Sequence, residues 1–121
     1  MKQARVEFLR KLKIESEADD VPNVTKNNAE FLHFLTRLKK AKSILEIGTA
    51  NGYSTIWFAD AVEEFDGHVT TIDHSTPSRA WALENFKNIL LIRILNSKLP
   101  KKRNDIFKIK YSPPILLKLR L

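Results

Sequence analysis

Apolar and polar positions along residues 1–88 follow helical spacing, then a strand-like run, then the same order again. Val6, Leu9 and Leu12 recur at helical spacing among lysines and arginines, which predicts an amphipathic helix over residues 2–14. Residues 15–24 are acidic, contain Val21-Pro22-Asn23, and read as a linker or lid. Asn27, with Glu30 three residues later, reads as a helix N-cap. Phe31, Phe34, Leu35, Leu38 and Ala41 then form one apolar stripe, and the basic residues from Arg37 to Lys42 complement the dipole of the last turn. His33, near this stripe, reads as a partly buried helix residue. Residues 43–47 are a short buried strand, bounded by a glycine-containing turn at 48–52. A helix over 53–64 follows, with Ile56, Ala59 and Val62 inward and Trp57 and Phe58 broadening that face. Residues 65–68 form a turn and 69–72 a second strand. Ser75 and Thr76 cap a helix over 77–87, with Pro77 in its first turn and Ala80, Leu83 and Phe86 inward beside Trp81. A β-α-β-α order with short loops predicts an α/β fold with a parallel sheet and right-handed crossovers.

The turn between the first strand and its helix carries the candidate chemistry. It reads Glu46-x-Gly48-x-x-x-Gly52, which differs from the Gly-x-Gly-x-x-Gly of dinucleotide binders. Gly48 allows the backbone to approach a ligand, and Gly52 lets the turn pass into a helix whose first N–H groups face the site. An acid at the strand end suits a cationic partner, such as an amino or sulfonium group, better than a pyrophosphate. The next acid at a strand end is Asp73. A carboxylate about 20 residues after the glycines is placed to accept hydrogen bonds from ribose hydroxyls.

The stretch ILEIGTANGYST at 44–55 resembles the first motif of class I S-adenosylmethionine (SAM)-dependent methyltransferases. Its Gly-Tyr-Ser ending is similar to that of the small O-methyltransferase family, which includes catechol, caffeoyl-CoA and related bacterial enzymes. The resemblance runs from about residue 21 to residue 88. It implies the N-terminal part of a Rossmann-like methyltransferase fold, a parallel sheet with preceding helices, and methyl transfer from SAM to a hydroxyl of a small molecule or a tRNA nucleoside. By the same resemblance Glu46, Gly48 and Gly52 border the methionine end of the cofactor, Ser54 contacts its carboxylate, and Asp73 holds the ribose. Asn23 and Val24 resemble a family segment that touches the cofactor from above. A divalent metal and a homodimer belong to the intact family. The metal ligands and catalytic residues would lie on a later acidic strand end that finds no match here, so no catalytic residue is assigned.

Composition narrows this picture. The chain of 121 residues suffices for one core but is short for a seven-stranded methyltransferase domain, so a truncated, inactive and marginally stable chain is expected. No run of about 18 apolar residues predicts a membrane span. The N-terminus lacks the apolar core of a secretory signal. The absence of Cys excludes disulfides and thiolate metal sites and is compatible with a cytoplasmic location. The three His are scattered without metal spacing; His74, beside Asp73, either flanks an adenine ring or stands in solvent.

The net charge of +7 is unevenly placed. Residues 1–86 hold 11 Lys+Arg against 13 Asp+Glu, whereas residues 87–121 hold 10 against 1, Asp105. Two parts follow: 1–88, the preceding helices with the SAM-binding βαβα unit, and 89–121, a basic tail. The tail reads either as out-of-frame sequence or as a third strand over 89–95 with a basic extension. Two further readings come from other classes. A nicotinamide-dependent oxidoreductase shares the βαβ logic but needs the missing glycine motif. A basic nucleic-acid-binding protein rests only on residues 87–121, where Phe107 and Tyr111 are the aromatics.

Overall fold

Two helices, α1 (Gln3–Ala18) and α2 (Lys26–Leu38), precede a β-α-β-α unit of β1 (Ser43–Ile47), α3 (Tyr53–Glu63), β2 (His68–Ile72) and α4 (Thr76–Asn88). The computed structural model describes residues 1–89 and the backbone of one further two-residue strand, β3 (Ile115–Leu116).

β1 and β2 run parallel, in register from Ser43 opposite His68 to Ile47 opposite Ile72. Both strands therefore end at one edge of the sheet, and the residues after Ile47 and Ile72 meet there. β3 pairs in parallel on the other side of β1, with Ile44 opposite Ile115 and Leu45 opposite Leu116, giving the order β2-β1-β3. β1 is therefore flanked on both sides by strands of this sequence. A buried strand edge leaves backbone N–H and C=O groups without partners, and even two paired residues relieve that cost. The expected strand over 89–95 lies, from residue 90 on, outside the described residues. So do Asp105, Phe107, Tyr111 and the rest of the basic tail apart from the backbone of β3.

The core lies between the sheet and α3. Ile56, Phe58, Ala59 and Val62 of α3 are buried with Ile44 of β1 and Val69 of β2. Leu9 and Leu12 add α1 to the same core, Ala29 adds α2, and Ala82 and Phe86 add α4.

The helices depart from the sequence reading in which face they bury. α1 runs to Ala18 and ends on left-handed Asp20 (φ 53°), with the Val21 N–H donating to Ser16 O at 2.8 Å. Its inward residues are Arg5, Leu9, Leu12 and Ser16, while Val6 is 41 % exposed. Polar residues take both ends of that face because each has a partner waiting. The Arg5 guanidinium donates to Asp60 at 2.7 Å and to Glu63 at 2.5 Å.

α2 starts two residues earlier than expected. Thr25, not Asn27, is its N-cap, accepting from the Asn28 N–H at 3.2 Å. It packs on α3 through Ala29 and Thr36, with Leu32 and Leu35 half-buried, whereas Phe31, Phe34 and Leu38 are 58 %, 58 % and 64 % exposed. His33 explains the rotation: its Nε2 meets Asp60 Oδ2 at 2.8 Å and its ring stands edge-on to Trp57. Satisfying a buried carboxylate outweighs hiding the phenylalanines. In α4, Ser75 caps the helix, accepting from the Ser78 N–H, as expected. The inward residues are Ala82, Asn85 and Phe86; Ala80 is exposed and Leu83 half-buried.

Gly52 (φ 88°) faces the Phe86 ring, where an added Cβ would stand 2.5 Å from a ring carbon. Gly52→Ala combines left-handed strain with overpacking and is expected to lower stability by roughly 2–4 kcal/mol. Gly48→Ala (φ 97°, no atom within 4 Å of an added Cβ) adds only backbone strain, about 1–2 kcal/mol. Urea unfolding of both variants checks the order; equal losses would show that Phe86 does not constrain the turn.

Candidate functional site

The turn after β1 is held by bonds from every side. The Gly48 N–H donates to Ile72 O at 2.7 Å, joining the two strand ends, and the Gly52 N–H donates to Thr49 O at 2.8 Å. Between them Ala50 is left-handed at φ 47°, uncommon for a residue with a Cβ. Asp73 supports it: Oδ2 accepts the Ala50 N–H at 2.8 Å, while Oδ1 accepts the Ser75 N–H, also at 2.8 Å. The sequence-predicted Gly48, Gly52 and Asp73 are thus brought to one strand edge.

Glu46 lies beneath this turn, not on its surface. It is 2 % exposed and accepts three hydroxyl hydrogen bonds, from Ser54 at 2.5 Å, from Thr71 at 2.6 Å and from Thr55. Thr71 is its cross-strand neighbour in the β1–β2 register and also shares a 2.6 Å bond with Thr49. Burial pushes the Glu46 carboxyl above its ordinary value. The three hydroxyls pull it back toward ionisation, and nearby Asp73 pushes it up again. A cationic ligand would feel Glu46 through the field, since its oxygens are already taken.

Ser54 Oγ likewise points at Glu46, so donating to a ligand carboxylate requires it to release that bond. Val24 is buried, and its carbonyl accepts from Lys13 Nζ at 3.2 Å. His74 stands fully in solvent.

The residues that sequence reasoning passed over are Asn51, Thr49 and Thr71. Asn51 is fully buried; its Nδ2 donates to Ser16 Oγ, its Oδ1 accepts the Tyr53 N–H, and its carbonyl accepts from Asn85 Nδ2. An amide at the variable third position between the glycines was the one visible signal.

The geometry suits a ligand bearing ribose and a positive charge. A carboxylate offers about four lone-pair sites. Asp73 uses two of them on backbone, leaving two for hydroxyl donors. The space beyond Gly48 is open, and α3 begins immediately after Gly52, presenting its amino end. Among the described residues no three His, Asp or Glu side chains are gathered to hold a metal ion. None of their helices is long and apolar enough to cross a membrane.

Comparison with known proteins gives the family. Residues 2–100 match the O-methyltransferase family model, a span that starts upstream of the 21–88 resemblance and ends beyond it. Over 63 residues the chain is 41 % identical to a catechol O-methyltransferase of Niastella koreensis, covering 52 % of this chain and 28 % of that protein. The O-methyltransferase of Bacillus cereus, solved in complex with SAH, is 30 % identical with a TM-score of 0.64, over 78 % of this chain and 42 % of that one. TomG of Streptomyces achromogenes, an O-methyltransferase involved in tomaymycin synthesis and solved with SAM, is 28 % identical with a TM-score of 0.63. There the match covers 79 % of this chain and 42 % of TomG. The chain spans less than half the length of each of these relatives.

The buried Glu46 carboxyl generates a pH test. Its folded-state value lies above the ordinary 4.5, so the native state takes up the proton first as pH falls. Glu46 therefore opposes folding above its raised value, and that cost is relieved as pH drops toward 4.5. Wild type should gain stability relative to Glu46→Gln on acidification through that window, as read by urea unfolding at stepped pH. A wild-type advantage that shrinks on acidification would contradict the reading.

Proposed function

The chain belongs to the O-methyltransferase family, and from that premise we propose that Gly48, Gly52, Ser54 and Asp73, with Glu46 beneath and Val24 beside them, form a site for S-adenosylmethionine. The whole protein would then be a SAM-dependent O-methyltransferase acting on a hydroxyl of a small molecule or a tRNA nucleoside. The observation that carries this reading is the Asp73 carboxylate, fixed on the Ala50 and Ser75 N–H groups with acceptor capacity left over, at the strand edge where Gly48 faces open space.

In this reading Asp73 accepts the ribose hydroxyls. The amino end of α3 and the Ser54 hydroxyl face the methionine carboxylate. The buried Glu46 favours the cationic methionine end through its field. Bound SAM supplies an electrophilic methyl group on sulfonium, for in-line transfer to a hydroxyl oxygen. The residues of this chain bind and orient, and orientation accounts for much of the rate in such a transfer. Metal dependence finds no donor set among the described residues, and no step is assigned to it.

Family membership replaces the nicotinamide-oxidoreductase reading. The nucleic-acid reading rested on residues 87–121, of which residues 90–114 and 117–121 lie outside the described residues.

Calorimetry tests the site. The 121-residue chain should bind SAM in preference to NAD. Asp73→Ala removes charge-assisted hydrogen bonds of about 1.5–3 kcal/mol each and should weaken binding roughly tenfold or more. Equal affinity in the two proteins would remove Asp73 from the site. Among the described residues no catalytic base or metal-ligand set is identified, and the same chain is expected to transfer no methyl group to a catechol acceptor. Radiolabelled product in that assay would overturn the expectation.

A further inference from the structure

The polar residue at the C-terminal end of the inward face of α1 does something that packing alone does not require. Ser16 is fully buried; its hydroxyl donates to Leu12 O at 2.6 Å and accepts from Asn51 Nδ2 at 2.5 Å. Asn51 is the third residue of the turn between Gly48 and Gly52. Its Oδ1 accepts the Tyr53 N–H at 3.2 Å, and its carbonyl accepts from Asn85 Nδ2 of α4 at 2.8 Å. A buried amide must have its polar atoms met. Here the partners come from three different helices, so the turn is registered against all of them at once. A second contact runs parallel to the first. Lys13, one turn before Ser16, donates to Val24 O at 3.2 Å and sits 5.5 Å from the centre of the Tyr53 ring. Residues 19–24 leave α1 between these contacts, through the left-handed Asp20, and return to Lys13 at the Val24 carbonyl.

We infer that Asn51 is a positioning residue: pinned to Ser16, it couples α1 and the segment 19–24 to the conformation of the cofactor turn. α1 then acts as a strap across the turn, not merely as a cover for the core. When the Ser16–Asn51 bond is lost, the Tyr53 N–H partner becomes mobile, and the turn and residues 19–24 loosen together. For its ligand readout the inference rests on the SAM reading above; for its exchange readout it does not.

Three proteins decide it: wild type, Ser16→Ala, and Leu9→Val as a control that loosens α1 packing without touching the turn. In the ligand-free full chain, amide hydrogen exchange of Ser16→Ala should accelerate in residues 49–54 and 19–24 together, whereas Leu9→Val should leave residues 49–54 at the wild-type rate. SAM affinity by calorimetry should fall roughly tenfold in Ser16→Ala, the equivalent of one buried hydrogen bond, and stay within about twofold of wild type in Leu9→Val. Ser16→Thr, which keeps a hydroxyl, should recover most of the affinity lost in Ser16→Ala. Unchanged exchange in residues 49–54 of Ser16→Ala would overturn the coupling. So would an equal loss of affinity in Leu9→Val, which would reduce Ser16 to general stability. A wild type that does not bind SAM refutes the proposed function, while the exchange comparison still decides the strap.

Discussion

Ala50 and Gly52 occupy left-handed backbone two residues apart, and local sequence does not hold such a turn without outside support. Each part of the support comes from a different element. β2 supplies Ile72 O and, just past its end, Asp73; α4 supplies the Phe86 ring and Asn85; α1 supplies Ser16. The shape of the site is therefore a tertiary property, although the motif that marks it is local. The parallel register of β1 and β2 is the precondition, since a slip of one residue would carry Asp73 away from Ala50 and Thr71 away from Glu46.

The two carboxylates at the strand ends divide the electrostatic work by depth. Asp73 stands at the rim with its oxygens half used on backbone, which fits direct contact. Glu46 is sealed below, its oxygens filled by Ser54, Thr55 and Thr71. A buried charge satisfied by hydroxyls, without an ion pair, keeps a field that a nearby lysine or arginine would cancel.

Much of this was legible in the sequence because strands and glycine turns are governed by short-range rules. β1 matches its expected bounds, β2 begins one residue earlier, and Glu46, Gly48, Gly52, Ser54 and Asp73 gather at one sheet edge. Helix faces were less legible, for one recurring reason. Hydrophobic spacing pointed Val6 and Phe31–Phe34–Leu38 inward, but polar pairing rotated α1 and α2 so that Arg5, Ser16 and His33 face the core instead. A pairing between residues 27 or 55 positions apart leaves no trace in the spacing of either helix. Asn51 escaped notice likewise, since its three partners lie on three helices. The pairing of Ile115–Leu116 with β1 was hidden by composition, because two aliphatic residues after Pro113-Pro114 carry no strand signature of their own.

The Asp60 carboxylate holds both N-terminal helices, taking Arg5 of α1 on one oxygen and His33 of α2 on the other. Burial works against its charge, but His33 and Arg5 outweigh that and keep it below the usual carboxylate range. Neither helix can leave α3 without stranding a buried charge against the other. One carboxylate on α3 therefore ties α1 and α2 to each other as well as to the β-α-β-α unit they rest on. Acid low enough to protonate Asp60 would weaken the hold of α3 on both helices at once.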